Sequence, residues 1–185
     1  MHTSVGTLYK AIVHDLVKAK WIPLPQKKQL TGESTVIQRV EDLLKRFHDA
    51  ALQLKVRHDN RPTLSLKDEY DVQDLLHTLL RTIVDDVRRE DPTATHAGSA
   101  SRVDFLLKAE KAVIEVKMAS PKVKHKQIGE QLIIDIERYG SNPDFRHLLC
   151  LVYDPEHQIE NPRGLETDLN RKHGDLEVKL LIVPR

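Results

Sequence analysis

Asp104, Glu115 and Lys117 are the residues whose types and spacing best suit a chemical role. They lie in the stretch 102–117, which reads as two short strands, Arg102–Leu107 and Ala112–Lys117, joined at Ala109-Glu110. Folded as a hairpin, Leu107 faces Ala112, Leu106 faces Val113, Phe105 faces Ile114 and Asp104 faces Glu115. Strand alternation then places Val103, Phe105, Leu107, Ala112, Ile114 and Val116 on one apolar face, and Asp104, Glu115 and Lys117 on the other. Two carboxylates opposed across a strand pair repel each other, and a cation between them removes the conflict. Hard oxygen ligands in this arrangement suit Mg²⁺ or Mn²⁺, with water and a substrate phosphate completing the shell. Lys117 shares that face and is placed to orient an attacking water or to stabilise charge on a phosphorane-like transition state. The implied chemistry is metal-assisted hydrolysis of a phosphodiester. A surface hairpin with a charged outer face, Lys117 neutralising Glu115, would give the same pattern.

Two neighbouring segments favour the chemical reading. In the helix that begins near residue 68, Glu69 and Gln73 fall on the stripe of Leu76, Leu80 and Val87, so a carboxylate and an amide occupy the first turns of the apolar face. Buried polar groups need partners, and a metal with its water shell is one. Beyond the second strand, Lys117, Lys122, Lys124 and Lys126 give four positive charges with no acid over 116–128. They lead into a helix carrying Gln127 and Gln131, a suitable start for phosphate contacts. Gln73, Arg102, Lys122, Lys124, Lys126 and Gln127 are the candidate contacts to the phosphate backbone of the substrate. The ten histidines show no zinc-type spacing, and the single cysteine, Cys150, reads as a small core residue.

The elements that must position these residues follow from hydrophobic periodicity. Helices are expected over 5–20 and 35–57, the latter through Val36, Ile37, Val40, Leu43, Leu44, Phe47, Ala51 and Leu54. A turn at 58–62 marks a soft boundary. A third helix is expected from Lys67 to Arg89, stopped by Asp91-Pro92. After the hairpin comes a helix over 125–139, with Ile128, Leu132, Ile133 and Ile136 on one side. The almost wholly apolar strand His147–Tyr153 should be buried on both faces. A short helix within 155–172 and a last strand, Leu176–Val183, complete an α/β sandwich around a mixed sheet. The domain reading is 1–60 as an N-terminal helical segment for dimerisation or recruitment, and 61–185 as the chemical domain.

The assembled residues resemble the PD-(D/E)XK nuclease superfamily, Asp104 matching its aspartate and Glu115-Val116-Lys117 its E-x-K. Val103 stands where many members have proline. The text around them is similar to the DpnII/MboI restriction-endonuclease-like domain over roughly residues 40–184. It includes Glu69–Leu76, Ser101–Leu107, Ile114–Lys117, Ile128–Tyr139 and Val152–Glu156. The resemblance implies a restriction-endonuclease-like αβββαβ core with a mixed sheet flanked by helices, and N-terminal helices added to it. It implies DNA as substrate and Mg²⁺ as cofactor, with Mn²⁺ substituting. Asp104, Glu115 and the Val116 carbonyl would hold metal, Glu69 would be an additional helix carboxylate, and Lys117 and the Gln131 amide would serve catalysis. It places the chain in bacterial restriction or anti-phage defence, with a defence-system subunit as one kind of partner, and since one site cuts one strand, duplex cleavage calls for a homodimer or sequential nicks. A catalytically silent module of the same fold, or an RNase, are the alternatives.

Composition bounds this reading. The 185 residues suit one domain with an appended segment. No apolar run approaches a membrane span and no signal peptide is evident, so a cytoplasmic setting is expected. Lys+Arg total 29 and Asp+Glu 28, a net charge of +1 that at first sight argues against nucleic acid. The balance is a cancellation between segments, however. Residues 1–34 carry +3 and 116–128 carry +4, while 65–91 and 154–170 each carry −4. Local basic stretches can therefore meet phosphate while clustered acids hold metal.

Overall fold

The computed structural model describes residues 34–89, 92–93 and 101–185, so the helix expected over 5–20 lies outside the described residues. Residues 35–185 form one compact unit, and the turn at 58–62 runs within it. Helix α1 (Val36–Lys45) opens at Thr35, whose side chain accepts from Gln38 N while Gln38 Oε1 accepts from Thr35 N, a reciprocal cap. Helix α2 (Phe47–Lys55) follows after a break at Arg46. The single helix expected over 35–57 is thus two. The buried stripe Val40, Leu44, Phe47, Ala51 runs through the break without losing phase, so periodicity did not reveal it.

Helix α3 (Glu69–Leu80) is capped by Asp68, whose side chain accepts from Asp71 N at 3.1 Å. It ends nine residues short of the Arg89 expected from the sequence. The chain turns after Leu80, and Arg88–Arg89 (β1) pairs antiparallel with Phe105–Leu106. Val84 is buried and Val87 partly buried, but both enter the core from this connection rather than from a helix. Arg89 anchors it, with Nη1 2.6 Å from Asp74 Oδ1 and its guanidinium carbon 6.0 Å from the Phe105 ring centre.

A small ladder joins β2 (Pro92–Thr93) to β3 (Ser101–Arg102). Then come β4 (Phe105–Leu107), β5 (Ala112–Met118), α4 (His125–Gly140), β6 (His147–Tyr153), α5 (Pro162–Leu169), β7 (Lys172–His173) and β8 (Leu176–Val183). The main sheet has the order β1-β4-β5-β6-β8-β7. The pairs β5–β6 and β6–β8 are parallel, and β4–β5 and β7–β8 are antiparallel. The expected mixed α/β architecture is therefore present.

Two apolar layers cover the sheet. On one face α1, α2 and α3 pack over Phe105, Leu107, Ala112, Ile114, Val116, Leu149 and Leu151. On the other, α4 and α5 pack over Val113, Leu148, Cys150, Val152, Leu180 and Ile182. Strand β6 feeds both layers, which is why it reads as a continuous apolar run. The hairpin register is as expected for Phe105↔Ile114, Leu106↔Val113 and Leu107↔Ala112. Asp104 and Glu115 are not a ladder pair, because the strand expected over 102–107 is interrupted at Val103-Asp104. The same interruption puts Val103 in the second layer, opposite the face that simple alternation gives it.

Candidate active site

Alternation along β5 sends Glu115 and Lys117 to the face covered by α4, while Ile114 and Val116 enter the first apolar layer. Asp104 leaves the strand and turns its carboxylate back, so that Oδ2 accepts from Val116 N at 2.8 Å. The break in the strand is therefore what brings the aspartate against the end of β5. Glu69, in the first turn of α3, reaches the same place. It lines a cavity of about 280 Å³ together with Lys117, Gln131, Ile134, Asp135 and Arg138. This cavity lies toward the carboxyl end of a parallel strand, the usual location of sites in α/β sheets.

Helix α4 adds Asp135 and Tyr139, which the sequence did not single out, to the expected Gln131. Gln131, Asp135 and Tyr139 are spaced i, i+4, i+8 and form one stripe. The Tyr139 hydroxyl donates a hydrogen bond to Glu115 Oε1. Lys117 Nζ donates to Glu115 Oε2 at 3.2 Å and lies 3.4 Å from Asp135 Oδ2. Arg138 Nη1 donates to Asp135 Oδ1 at 3.1 Å. That four-residue spacing of polar groups was the available signal. It was obscured by Ile133, which is half exposed and not on the inward side assigned to it. The inward positions are Ile128, Leu132, Asp135, Ile136 and Tyr139.

Electrostatics sets this cluster apart. Glu115 is 4 % exposed. Burial, reinforced by the Asp104 carboxylate, pushes its carboxyl up to about 7, against the partial relief given by Lys117 and Tyr139. Burial also raises Asp104, opposed by the Val116 N–H and Lys117. It raises Glu69, opposed by Lys117 and a hydrogen bond from the Met118 backbone. For Lys117, burial works against the charge, but Glu115, Asp135, Glu69 and Asp104 outweigh it and hold the amine firmly as ammonium. Tyr139 is driven up by burial and by Glu115, so it stays a neutral hydroxyl.

Four carboxylates, Glu115 and Asp135 buried and Glu69 and Asp104 half-buried, thus surround one ammonium, an excess of hard oxygen donors that suits a divalent cation. Among the described residues no three His, Cys, Asp or Glu side chains converge into a metal cage. A cation held by Asp104 and Glu115 would take its remaining ligands from water, backbone carbonyl and phosphate, the pattern typical of Mg²⁺.

The other predicted residues are placed as follows. Gln131 is on the cavity wall. Lys122, Lys124 and Lys126 are exposed around the start of α4, with Lys126 Nζ 3.8 Å from Glu130 Oε1. Gln127 is exposed and accepts from Lys124 N at 3.2 Å. Arg102 is exposed on β3. Gln73 is only 5 % exposed, on the buried side of α3 and not on a surface open to DNA.

The family model of the DpnII-MboI restriction endonucleases (REase_DpnII-MboI) matches residues 38–185, which take in the main sheet and the five α-helices of the described residues but for the first two residues of α1. The chain belongs to the DpnII-MboI restriction endonuclease family. Among curated proteins and among solved structures, nothing matches. Membership in the DpnII-MboI family gives the chain its coarse function, that of a nuclease acting on DNA. Among the described residues no helix is long and apolar enough to cross a membrane.

Proposed function

We propose that this protein is a Mg²⁺-dependent DNA endonuclease, with Mn²⁺ as a substitute, acting in the cytoplasm in bacterial restriction or anti-phage defence. The observation that carries the metal-dependent reading is the half-buried Asp104 carboxylate turned back onto the end of β5, near the buried Glu115, with Lys117 beside it. Asp104, Glu115 and the Val116 carbonyl are the proposed metal ligands, with Glu69 facing the same cavity. When bound, the metal would polarise the scissile phosphate and lower the pKa of a coordinated water. Lys117, kept as ammonium by four carboxylates, stabilises charge on the phosphoryl oxygens and does not act as a base in this state. Gln131 orients the attacking water or a phosphate oxygen from the cavity wall.

Lys122, Lys124, Lys126, Gln127 and Arg102 supply backbone contacts to DNA, which position the duplex without reading its sequence. One such centre cuts one strand, so duplex cleavage requires a homodimer or successive nicks. Residues 1–60 are the proposed dimerisation or recruitment segment, with a defence-system subunit as the second kind of partner. The test is a side-by-side digest of end-labelled DNA and RNA in Mg²⁺, Mn²⁺ and EDTA. Cleavage of DNA in either metal and none in EDTA is expected. Cleavage of RNA alone, or DNA binding without hydrolysis, would overturn the assignment.

A further inference from the structure

We propose that Asp135 is a positioning residue that receives the Lys117 ammonium when Glu115 engages a divalent cation. This rests on the reading that Asp104 and Glu115 hold the metal. Both oxygens of Glu115 are already engaged by donors, Oε1 by the Tyr139 hydroxyl and Oε2 by Lys117 Nζ at 3.2 Å. A cation approaching Oε2 must displace the ammonium, whereas the tyrosine can stay on the other oxygen and keep the carboxylate oriented.

The displaced ammonium has one acceptor prepared for it. Asp135 Oδ2 lies 3.4 Å from Lys117 Nζ, close enough for ion pairing, yet it is buried and accepts no hydrogen bond in the present arrangement. Its sister oxygen is held by Arg138 at 3.1 Å, which fixes the carboxylate in place. Buried acceptors are normally satisfied, so this spare lone pair beside an ammonium donor needs an explanation. A small movement of Nζ from Glu115 to Asp135 supplies it. The ammonium stays on the wall of the cavity that both residues line, where it can still face phosphate. Without Asp135 a side chain only 14 % exposed would have no carboxylate at ion-pairing distance once Glu115 had turned to the metal, with Glu69 and Asp104 acting on it only from farther away.

The experiment is Mn²⁺ binding to the DNA-free protein by calorimetry, on wild type, D135N, K117M and the double variant, with E115Q as control and thermal melts to verify folding. Loss of a partner that orients a metal-site group typically weakens affinity by about 10–100-fold, and D135N should fall in that range. In the K117M background, where no ammonium has to be received, Asp135→Asn should change affinity by less than about 2-fold, an additive-cycle argument for coupling through Lys117. Asp135→Ser gives the same comparison if D135N does not fold. An equal loss in both backgrounds would overturn the proposal, because Asp135 would then act on the metal by its own charge. Unchanged affinity in D135N would overturn it as well. A folded wild type that binds no Mn²⁺, or an E115Q variant that binds as tightly as wild type, would instead overturn the metal-site reading and this proposal with it.

Discussion

The charge state of Glu115 makes stability depend on pH in a direction opposite to that of most carboxylates. Its carboxyl is pushed from an ordinary 4.5 up to about 7, first by burial and then by Asp104. Below pH 4.5 the group is protonated in both the folded and the unfolded chain. Between 4.5 and 7 the folded chain keeps a proton that the unfolded chain has released, so raising the pH through this window removes stability. At about 1.4 kcal/mol per pH unit, the gap from 4.5 to 7 amounts to about 3 kcal/mol above pH 7. Because Glu115 is 4 % exposed, solvent screening takes little from that figure. The perturbation is Glu115→Gln, which cannot ionise and keeps an oxygen to accept from Tyr139. For a domain of this size 3 kcal/mol corresponds to about 6–12 °C in Tm. The Tm of E115Q minus that of wild type, measured in EDTA, should therefore grow by about that much between pH 5 and pH 8. Glu69 and Asp104 are raised in the same direction, and the difference between the two proteins removes their contribution to first order. Mn²⁺ at pH 8 should raise the Tm of wild type and leave E115Q unmoved. A Tm difference constant across pH would refute the reasoning, since Glu115 would then be ionised at no cost to the fold.

Other expected outcomes test separate parts of the structure. Tyr139→Phe removes a buried donor to Glu115 and should cost about 1–3 kcal/mol in urea unfolding at pH 8, with a smaller loss at pH 5, where the carboxyl is neutral. Replacing Lys122, Lys124 and Lys126 together by Ala should weaken duplex binding and flatten the slope of log K against log salt by up to about 2.7, measured by fluorescence anisotropy in Ca²⁺. Phe47→Ala, at a fully buried position edge-on to Tyr153 with ring centres 5.3 Å apart, should cost about 3–5 kcal/mol by the same unfolding assay.

What the sequence revealed followed the physics of each element. The turn of the β4–β5 hairpin and the buried strand β6 were legible because side-chain alternation and unbroken apolar runs report the layers directly. Glu69, Lys117 and Gln131 were legible as neighbours because their spacings fit the elements that carry them. The early end of α3 was not, since Val84 and Val87 continue its apolar period by coincidence while the chain turns to pair Arg88–Arg89 with β4. The place of Asp104 depends on a strand break that no alternation pattern signals, and the break is what turns its carboxylate onto Val116 N. Asp135 and Tyr139 were hidden among the isoleucines of α4. Their meaning comes from Lys117 and Glu115 on a strand about twenty residues earlier, a relation that only the packed structure supplies.

The most direct test of the account is nicking of supercoiled plasmid by wild type, D104N and K117M, each verified as folded, in Mg²⁺ and in EDTA. Wild type should convert supercoiled plasmid to open-circular or linear forms only with metal, and both variants should lose this activity by at least about 100-fold, in line with removing a group that stabilises transition-state charge. Cleavage by wild type in EDTA, or cleavage by D104N or K117M at the wild-type rate, would contradict the claim that Asp104, Glu115 and Lys117 form the hydrolytic centre.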